Sequence, residues 1–223
     1  MYKMIVFDLD GTLFDTLRDI TSSVNWALEQ NGLAPITLDD TKRFLGHGIA
    51  HLISEASAHA PHQENLIKAF ETHYCRHYNV ATKPYEGISE LLDWCKKQKL
   101  RIGVLTNKVE DIAVKLCEEH FKDTFDFIWG DHPKRIRKPD PSSLNRALNL
   151  YQVLPSECLM IGDSEVDYQT AVAAGTDSCL VGYGFRSATQ LSGCRPTVFV
   201  GRAHEIHSFL EDKQKKSTQF GNE

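Results

Sequence analysis

Six short apolar runs, each halted by a polar or glycine-containing cluster, constrain the fold of this chain more than any other feature. Tyr2 to Phe7 stops at Asp8, Arg101-Ile102-Gly103-Val104-Leu105 at Thr106-Asn107, and Phe125-Asp126-Phe127-Ile128-Trp129 at Gly130-Asp131. Cys158-Leu159-Met160-Ile161 runs into Gly162-Asp163, Ser178-Cys179-Leu180-Val181 into Gly182, and Thr197-Val198-Phe199-Val200 into Gly201. Runs this short and this continuous suit strands covered on both faces, as in a parallel sheet. Helical patterns lie between them. Ile88, Leu91, Leu92 and Cys95 share a face, as do Ile112, Val114 and Leu116 less cleanly. Leu144, Ala147, Leu148 and Tyr151 recur at helical spacing after Pro139-Asp140-Pro141, where Asp140 can cap and Pro141 can occupy the first turn. A short helix holding Ala171 to Ala174 is stopped by Gly175. Strands alternating with helices predict right-handed crossovers and an α/β fold: a doubly wound, Rossmann-like parallel sheet.

One segment breaks the alternation. No convincing strand follows the first until about Arg101, yet apolar stripes at helical spacing are plain: Ile20, Val24, Ala27 and Leu28, then Leu52, Ile53 and Ala56, then Leu66, Ile67, Phe70 and Tyr74. Such a block is an inserted α-helical bundle, expected over residues 15–83, with the sheet unit formed by 1–14 and 84–223. From about residue 212 apolar content is sparse, and a frayed tail is expected over 212–223.

Composition removes several classes. The net charge of −5 lacks the basic footprint of a dedicated nucleic-acid binder. No apolar run approaches the roughly 18 residues of a membrane helix. The short apolar start reaches Asp8 too soon for a signal peptide. The six cysteines form no C-x-x-C pair, so reduced, mostly buried thiols and a cytoplasmic location are expected. Monomer and homodimer both remain open.

In an open α/β sheet, ligands bind at the carboxyl ends of the strands near the topological switch point. Asp8-Leu9-Asp10-Gly11-Thr12, Thr106-Asn107, Lys138-Pro139-Asp140-Pro141 and Gly162-Asp163-Ser164-Glu165-Val166-Asp167 all fall at such ends or in the loops beyond them. Asp8, Asp10, Asp163 and Asp167 cannot share one cleft ionised without compensation. A hard divalent cation relieves the repulsion, and oxygen ligands suit Mg2+. Lys138 and the Thr106 hydroxyl add a cation and a donor, which together describe a site that receives a phosphoryl group.

The pattern Asp8-x-Asp10-Gly11-Thr12-Leu13-x-Asp15-Thr16, followed in order by Thr106, Lys138 and Gly162-Asp163-x-x-x-Asp167, strongly resembles the haloacid dehalogenase superfamily, most of whose members are phosphatases. The resemblance implies that the helical insert is a mobile cap. It also implies that Asp8 is the nucleophile and forms an aspartyl-phosphate, and that Asp10 is the acid and base. Magnesium would be held by Asp8, the backbone carbonyl of Asp10 and Asp163, with Asp167 orienting the shell. Thr106 and the Asn107 amide would hold phosphoryl oxygens, with Lys138 neutralising charge. Asp15 and Thr16 are expected to close the loop into the cap rather than touch substrate.

Substrate is less constrained. Asp10 argues against a dehalogenase proper, which has no leaving alkoxide to protonate. A phosphonatase-like reaction would need a cap lysine, of which Lys42 is the first and has no special support. Phe44-Leu45-Gly46-His47-Gly48-Ile49 resembles the cap loop of phosphoglycolate phosphatases, as does Leu105-Thr106-Asn107-Lys108 in the core. That resemblance makes Gly46, His47 and Gly48 candidate substrate contacts and a small phosphate ester such as 2-phosphoglycolate the expected substrate. Arg43 and Lys42 could add positive potential or simply face solvent. A sugar-phosphate mutase, a pyrophosphatase and a catalytically idle, phosphometabolite-binding regulator are the alternatives. His47 with His51, and His73 with His77, have helical spacing but lack accompanying zinc ligands, and His204-Glu205-Ile206-His207 is one residue short of a zincin motif.

Overall fold

The computed structural model describes residues 1–220. Six parallel strands form the main sheet: β1 (Met4–Phe7), β4 (Arg101–Val109), β5 (Phe127–Asp131), β6 (Cys158–Gly162), β7 (Asp177–Val181) and β8 (Val198–Val200). Their order is β5-β4-β1-β6-β7-β8, so the chain reverses its direction of winding at β1. Side chains alternate along β1, which separates two cores. Ile5 and Phe7 face α5 (Ile88–Lys97), α6 (Glu110–His120) and α9 (Ala203–Phe220), while Met4 and Val6 face α7 (Ser142–Tyr151) and α8 (Glu165–Ala174). Burial on both faces is why these strands are continuously apolar rather than alternating.

The remaining helices are α1 (Leu17–Gln30), α2 (Leu38–Phe44), α3 (Ile49–Ala56) and α4 (Gln63–His77). Val24, Leu28, Leu52, Ile53, Leu66 and Phe70 make a third core, separate from the two on the sheet and touching the sheet unit through Ile112. Two strands of two residues each, β2 (Phe14–Asp15) and β3 (Lys83–Pro84), pair antiparallel where the chain leaves and re-enters the sheet unit. They are too short to leave a periodic trace in the sequence. Beside them the buried Asp19 accepts hydrogen bonds from the backbone N–H groups of Val80, Ala81 and Thr82 and from the Thr82 hydroxyl.

Several local expectations shift. The strand expected from Phe125 begins at Phe127, because the Asp126 carboxylate accepts hydrogen bonds from Arg101 and from the Ile102 N–H. Asp140 does cap the Ser142 N–H at 2.8 Å, but Pro141 sits at the N-cap rather than inside the first turn. In α6 the buried face is Ile112, Ala113, Leu116 and Cys117, with Val114 exposed. Gly175 ends α8 in the left-handed conformation, at φ 71°. The expected frayed tail is helical as far as Phe220, since Ile206 and Leu210 anchor α9 in the core; 221–223 lie outside the described residues. All six cysteines are free, and Cys95, Cys117, Cys158 and Cys179 are buried. No helix among the described residues is long and apolar enough to cross a membrane.

Candidate active site

The polar clusters meet at the carboxyl ends of β1, β4 and β6, on either side of the winding reversal. Asp8 follows β1, and its backbone N–H donates to the Ile161 carbonyl at 2.8 Å, which fixes its place against β6. The Lys138 ammonium donates to Asp8 Oδ1 at 2.7 Å and to Asp167 Oδ1 at 2.6 Å, although 130 and 29 residues separate them in sequence. Asp163 Oδ2 accepts from the Phe185 N–H at 2.6 Å. Asp167 Oδ2 accepts from the Ser164 hydroxyl at 2.6 Å and completes a capping box at the start of α8. Asp167 therefore serves both as helix cap and as a member of the acidic cluster.

Two glycines make this crowding feasible. Gly11 has φ +84°, and a Cβ there would lie 2.3 Å from Asp163 Oδ2. A Cβ on Gly162 would lie 2.2 Å from Asp167 Cγ.

Burial lifts the Asp8 carboxyl to about 6, with Lys138 pulling it down and Asp167 pushing it up. Asp163 is raised well above the ordinary carboxylate value, first by burial and then by Asp167 and Asp8. Burial opposes the charge on Lys138, yet Asp167 and Asp8 together hold its pKa above that of an ordinary lysine. Asp8, Asp163 and Asp167 each offer an oxygen within 4.8 Å of the others, the one such cluster of potential metal ligands among the described residues. Asp8 and Asp167 share the single ammonium of Lys138, and Asp163 beside them pairs with no cation among the described residues, so acidic groups outnumber cations in the cluster. Hard oxygen donors with excess negative charge fit magnesium.

A cavity of about 90 Å³ joins these groups to the helical insertion. A single water needs roughly 10–15 Å³ on this measure, so the space suits a small polyatomic ligand. Asp8, Asp10, Thr106, Lys138 and Asp163 line the sheet side, and Ile20, Leu45, Ile49, Leu52 and Phe70 line the opposite side. Gly46 and Gly48 line it as well. His47 does not: its ring packs edge-on against His51 at 5.1 Å and lies 3.9 Å from Glu165. Lys42 and Arg43 are also outside the lining, and Arg43 pairs with Asp40. The His73 and His77 rings stack on each other, with their Nδ1 atoms engaged by Ser23 and the His73 carbonyl.

The Asn107 side-chain amide is taken up by backbone groups of the protein. Its Nδ2 donates to the Gly46 and Lys138 carbonyls, both at 2.9 Å, and its Oδ1 accepts from the Lys138 N–H at 2.9 Å. The side-chain amide thus holds two loops together instead of facing a phosphoryl group. Thr16, expected to close the loop into the insertion rather than touch substrate, donates its hydroxyl to Asp10 Oδ1 at 2.7 Å.

Three residues escaped the sequence reading. Lys108 donates to Asp10 Oδ1 at 2.9 Å and to the Tyr74 hydroxyl at 2.5 Å. Its position two residues after Thr106 on one strand was the available signal, since alternate residues share a face. Tyr74 read simply as part of an apolar stripe. Arg186, buried, donates to the Lys42 and Leu45 carbonyls at 2.6 Å each and pairs with Glu165. Nothing local in the sequence marks it.

Comparison with known proteins agrees with this arrangement. The family profile described as haloacid dehalogenase-like hydrolase matches residues 5–181. A phosphoglycolate phosphatase from Chromobacterium violaceum is 33% identical, over 85% of this chain and 89% of its own. One from Aquifex aeolicus is 29% identical, over 94% of this chain and 97% of its own. The crystal structure of a candidate phosphoglycolate phosphatase from Lactobacillus delbrueckii subsp. bulgaricus superposes with a TM-score of 0.87 at 31% identity, covering 92% of this chain and 96% of that one. A haloacid dehalogenase-like hydrolase from Streptococcus pneumoniae shares the fold, with a TM-score of 0.84 at 19% identity, over 94% of this chain and 98% of that one. Paired aspartates at the end of the first strand, a lysine bridging two carboxylates, and a profile match spanning most of the chain lead to one conclusion: the chain belongs to the haloacid dehalogenase-like hydrolase family, among its phosphatases.

Proposed function

We propose that this protein is a magnesium-dependent phosphomonoesterase that works through an aspartyl-phosphate and acts on a small metabolite, with 2-phosphoglycolate the foremost candidate. The observation that carries the reading is the buried Lys138 ammonium, shared between Asp8 and Asp167 and lining a small cavity that Asp10 also lines. The names of the relatives and the size of the cavity favour a two-carbon ester over a nucleotide.

Asp8 attacks phosphorus through a carboxylate oxygen while the bond from phosphorus to the leaving oxygen breaks. Asp10 delivers its proton to that oxygen, and the aspartyl-phosphate remains. Asp10, now ionised, takes a proton from the water that attacks phosphorus next, and Asp8 is released with inorganic phosphate. Thr106 and the backbone N–H of Asn107 hold phosphoryl oxygens, and Lys138 keeps the Asp8 carboxylate in place and offsets charge. Asp8, Asp163 and the Asp10 carbonyl would hold magnesium, with Asp167 orienting the shell through Lys138 and Ser164. The ion would offset phosphoryl charge as it develops.

Residues 15–83 act in this reading as a cap over a core of 1–14 and 84–223, with Gly46 and Gly48 approaching the leaving group. His47 lies outside the cavity lining, beside Glu165. The free thiols accord with a cytoplasmic location.

A phosphate-release screen with magnesium over 2-phosphoglycolate, sugar phosphates, nucleotides and pyrophosphate tests the reading. Release from a small monoester, lost in Asp8→Asn, is the expected outcome. Isomerised sugar phosphate without release would make the chain a mutase, and pyrophosphate as the preferred substrate would replace the ester. Ligand binding without turnover of any substrate would make it an idle binder.

A further inference from the structure

Asp10 is anchored unequally. Its Oδ1 accepts from the Thr16 hydroxyl at 2.7 Å and from Lys108 Nζ at 2.9 Å, whereas Oδ2 has a single longer contact, 3.2 Å, with the same ammonium. Oδ2 is therefore the oxygen less committed to the protein. Lys108 is itself buried and lies in the cavity lining. Its other partner is the Tyr74 hydroxyl at 2.5 Å, on α4 of the helical insertion. The Tyr74 ring is fixed in turn by stacking on Phe70, with centroids 5.2 Å apart, inside the insertion's own apolar core. An unbroken chain of contacts thus runs from that core, through one phenol and one ammonium, to the carboxyl that handles the leaving group's proton.

We propose that Tyr74 and Lys108 are positioning residues that hold the Asp10 carboxyl with Oδ2 towards the leaving oxygen, so that proton delivery is competent when the helical insertion is seated on the sheet unit. The inference rests on the phosphatase reading, because it assigns the transfer to Asp10. In the step concerned, the oxygen–phosphorus bond to Asp8 forms, the bond to the leaving oxygen breaks, and the proton on Asp10 passes to the departing alkoxide. A lysine merely neutralising a buried carboxylate would have no need of a phenol supplied by the other unit. Removing that phenol oxygen alone should leave the charge pair in place and loosen its geometry.

Leaving groups of different basicity provide the test. An alkoxide needs a proton as it departs, whereas 4-nitrophenolate departs without one, so misplacing Asp10 slows the first ester selectively. The first-turnover rate of alcohol or phenol release is measured with magnesium present, for 4-nitrophenyl phosphate and for the faster of 2-phosphoglycolate and glycerol 3-phosphate. Tyr74→Phe should lower the alkyl ester rate about tenfold and the nitrophenyl rate by less than about twofold. Lys108→Met should show the same split with a larger alkyl loss, about a hundredfold. Tyr74→Phe removes one oxygen and keeps the ring, and its melting temperature is compared with that of the unaltered protein to establish that it folds. Equal losses on both esters, or an unchanged alkyl rate in Tyr74→Phe, would overturn the inference and leave the phosphatase reading standing. Failure of the unaltered protein to turn over any of the esters would bring down both.

Discussion

The sheet unit and the helical insertion are stabilised in opposite ways. Each face of the parallel sheet is packed by helices, and the backbone register of β1 with β4 and β6 places Asp8, Thr106 and Asp163 without help from the insertion. The insertion has one core of its own, and among the described residues its polar links to the sheet unit near the cavity include Thr16 to Asp10, Tyr74 to Lys108, Gly46 to Asn107, His47 to Glu165, and Lys42 and Leu45 to Arg186. The strand-end residues Asp8, Thr106 and Asp163 stand on continuous ladders, where a shift of a strand would cost many hydrogen bonds at once. The insertion hangs on a few polar contacts that can be exchanged singly.

That contrast can be broken at its strongest point first. Asp8→Asn should lower turnover by about 10⁴-fold or more while the protein melts within a few degrees of the unaltered chain, because the loss is chemical. Steady-state phosphate release and a thermal melt check both halves; substantial residual turnover would remove the nucleophile. Chelation should likewise abolish release, and saturating magnesium should raise the melting temperature by about 5 °C, since binding to the folded site alone adds stability. An unchanged melt with magnesium would contradict the reading of the acidic cluster as its site.

Asp19→Ala tests the covalent crossing between the two regions. It leaves the N–H groups of Val80, Ala81 and Thr82 without their shared acceptor, and should cost about 3 kcal/mol in chemical denaturation. Arg186→Met tests the exchangeable contacts. Losing the two carbonyl contacts should reduce kcat/KM about tenfold, mainly through KM, with about 1–2 kcal/mol lost in stability. If the kinetic effect fell on kcat alone, Arg186 would belong with the chemistry instead of with the covering of the cavity. The smallest effect expected concerns the thiols. Cys75 and Cys194 should react with a maleimide in the native protein, while Cys95, Cys117, Cys158 and Cys179, buried and pushed up to about 12, should not until it unfolds. Mass spectrometry of labelled protein reads the difference, and early labelling of Cys95 or Cys117 would show that the sheet unit is less tightly packed than its burial implies.

The two regions were also unequally legible from the amino-acid string. Buried parallel strands announce themselves, because an unbroken run such as Met160-Ile161 ending in Gly162-Asp163 has few other uses. The carboxylates and Lys138 were legible for the same reason, since a strand end in an open sheet is where polar chemistry collects. The helices of the insertion could be found from their stripes, but which polar residue on a stripe meets the sheet unit could not. Tyr74 has the spacing of a core residue and is one, yet its hydroxyl carries the contact with Lys108. Asn107 shows the reverse: a residue in the right motif whose side-chain amide is occupied by carbonyls from two other loops.

Local order therefore settled the alternation of strands and helices, the strand-end aspartates and the existence of the insertion, because each depends on neighbours a few residues apart. Tertiary packing alone decided that Lys108 would sit on Asp10, that Arg186 would reach carbonyls more than 140 residues away, and that His47 would face Glu165 instead of the cavity. A single long polar side chain leaves no periodic signature, and its partner is chosen only when burial forces its charge or hydrogen-bonding group to find one.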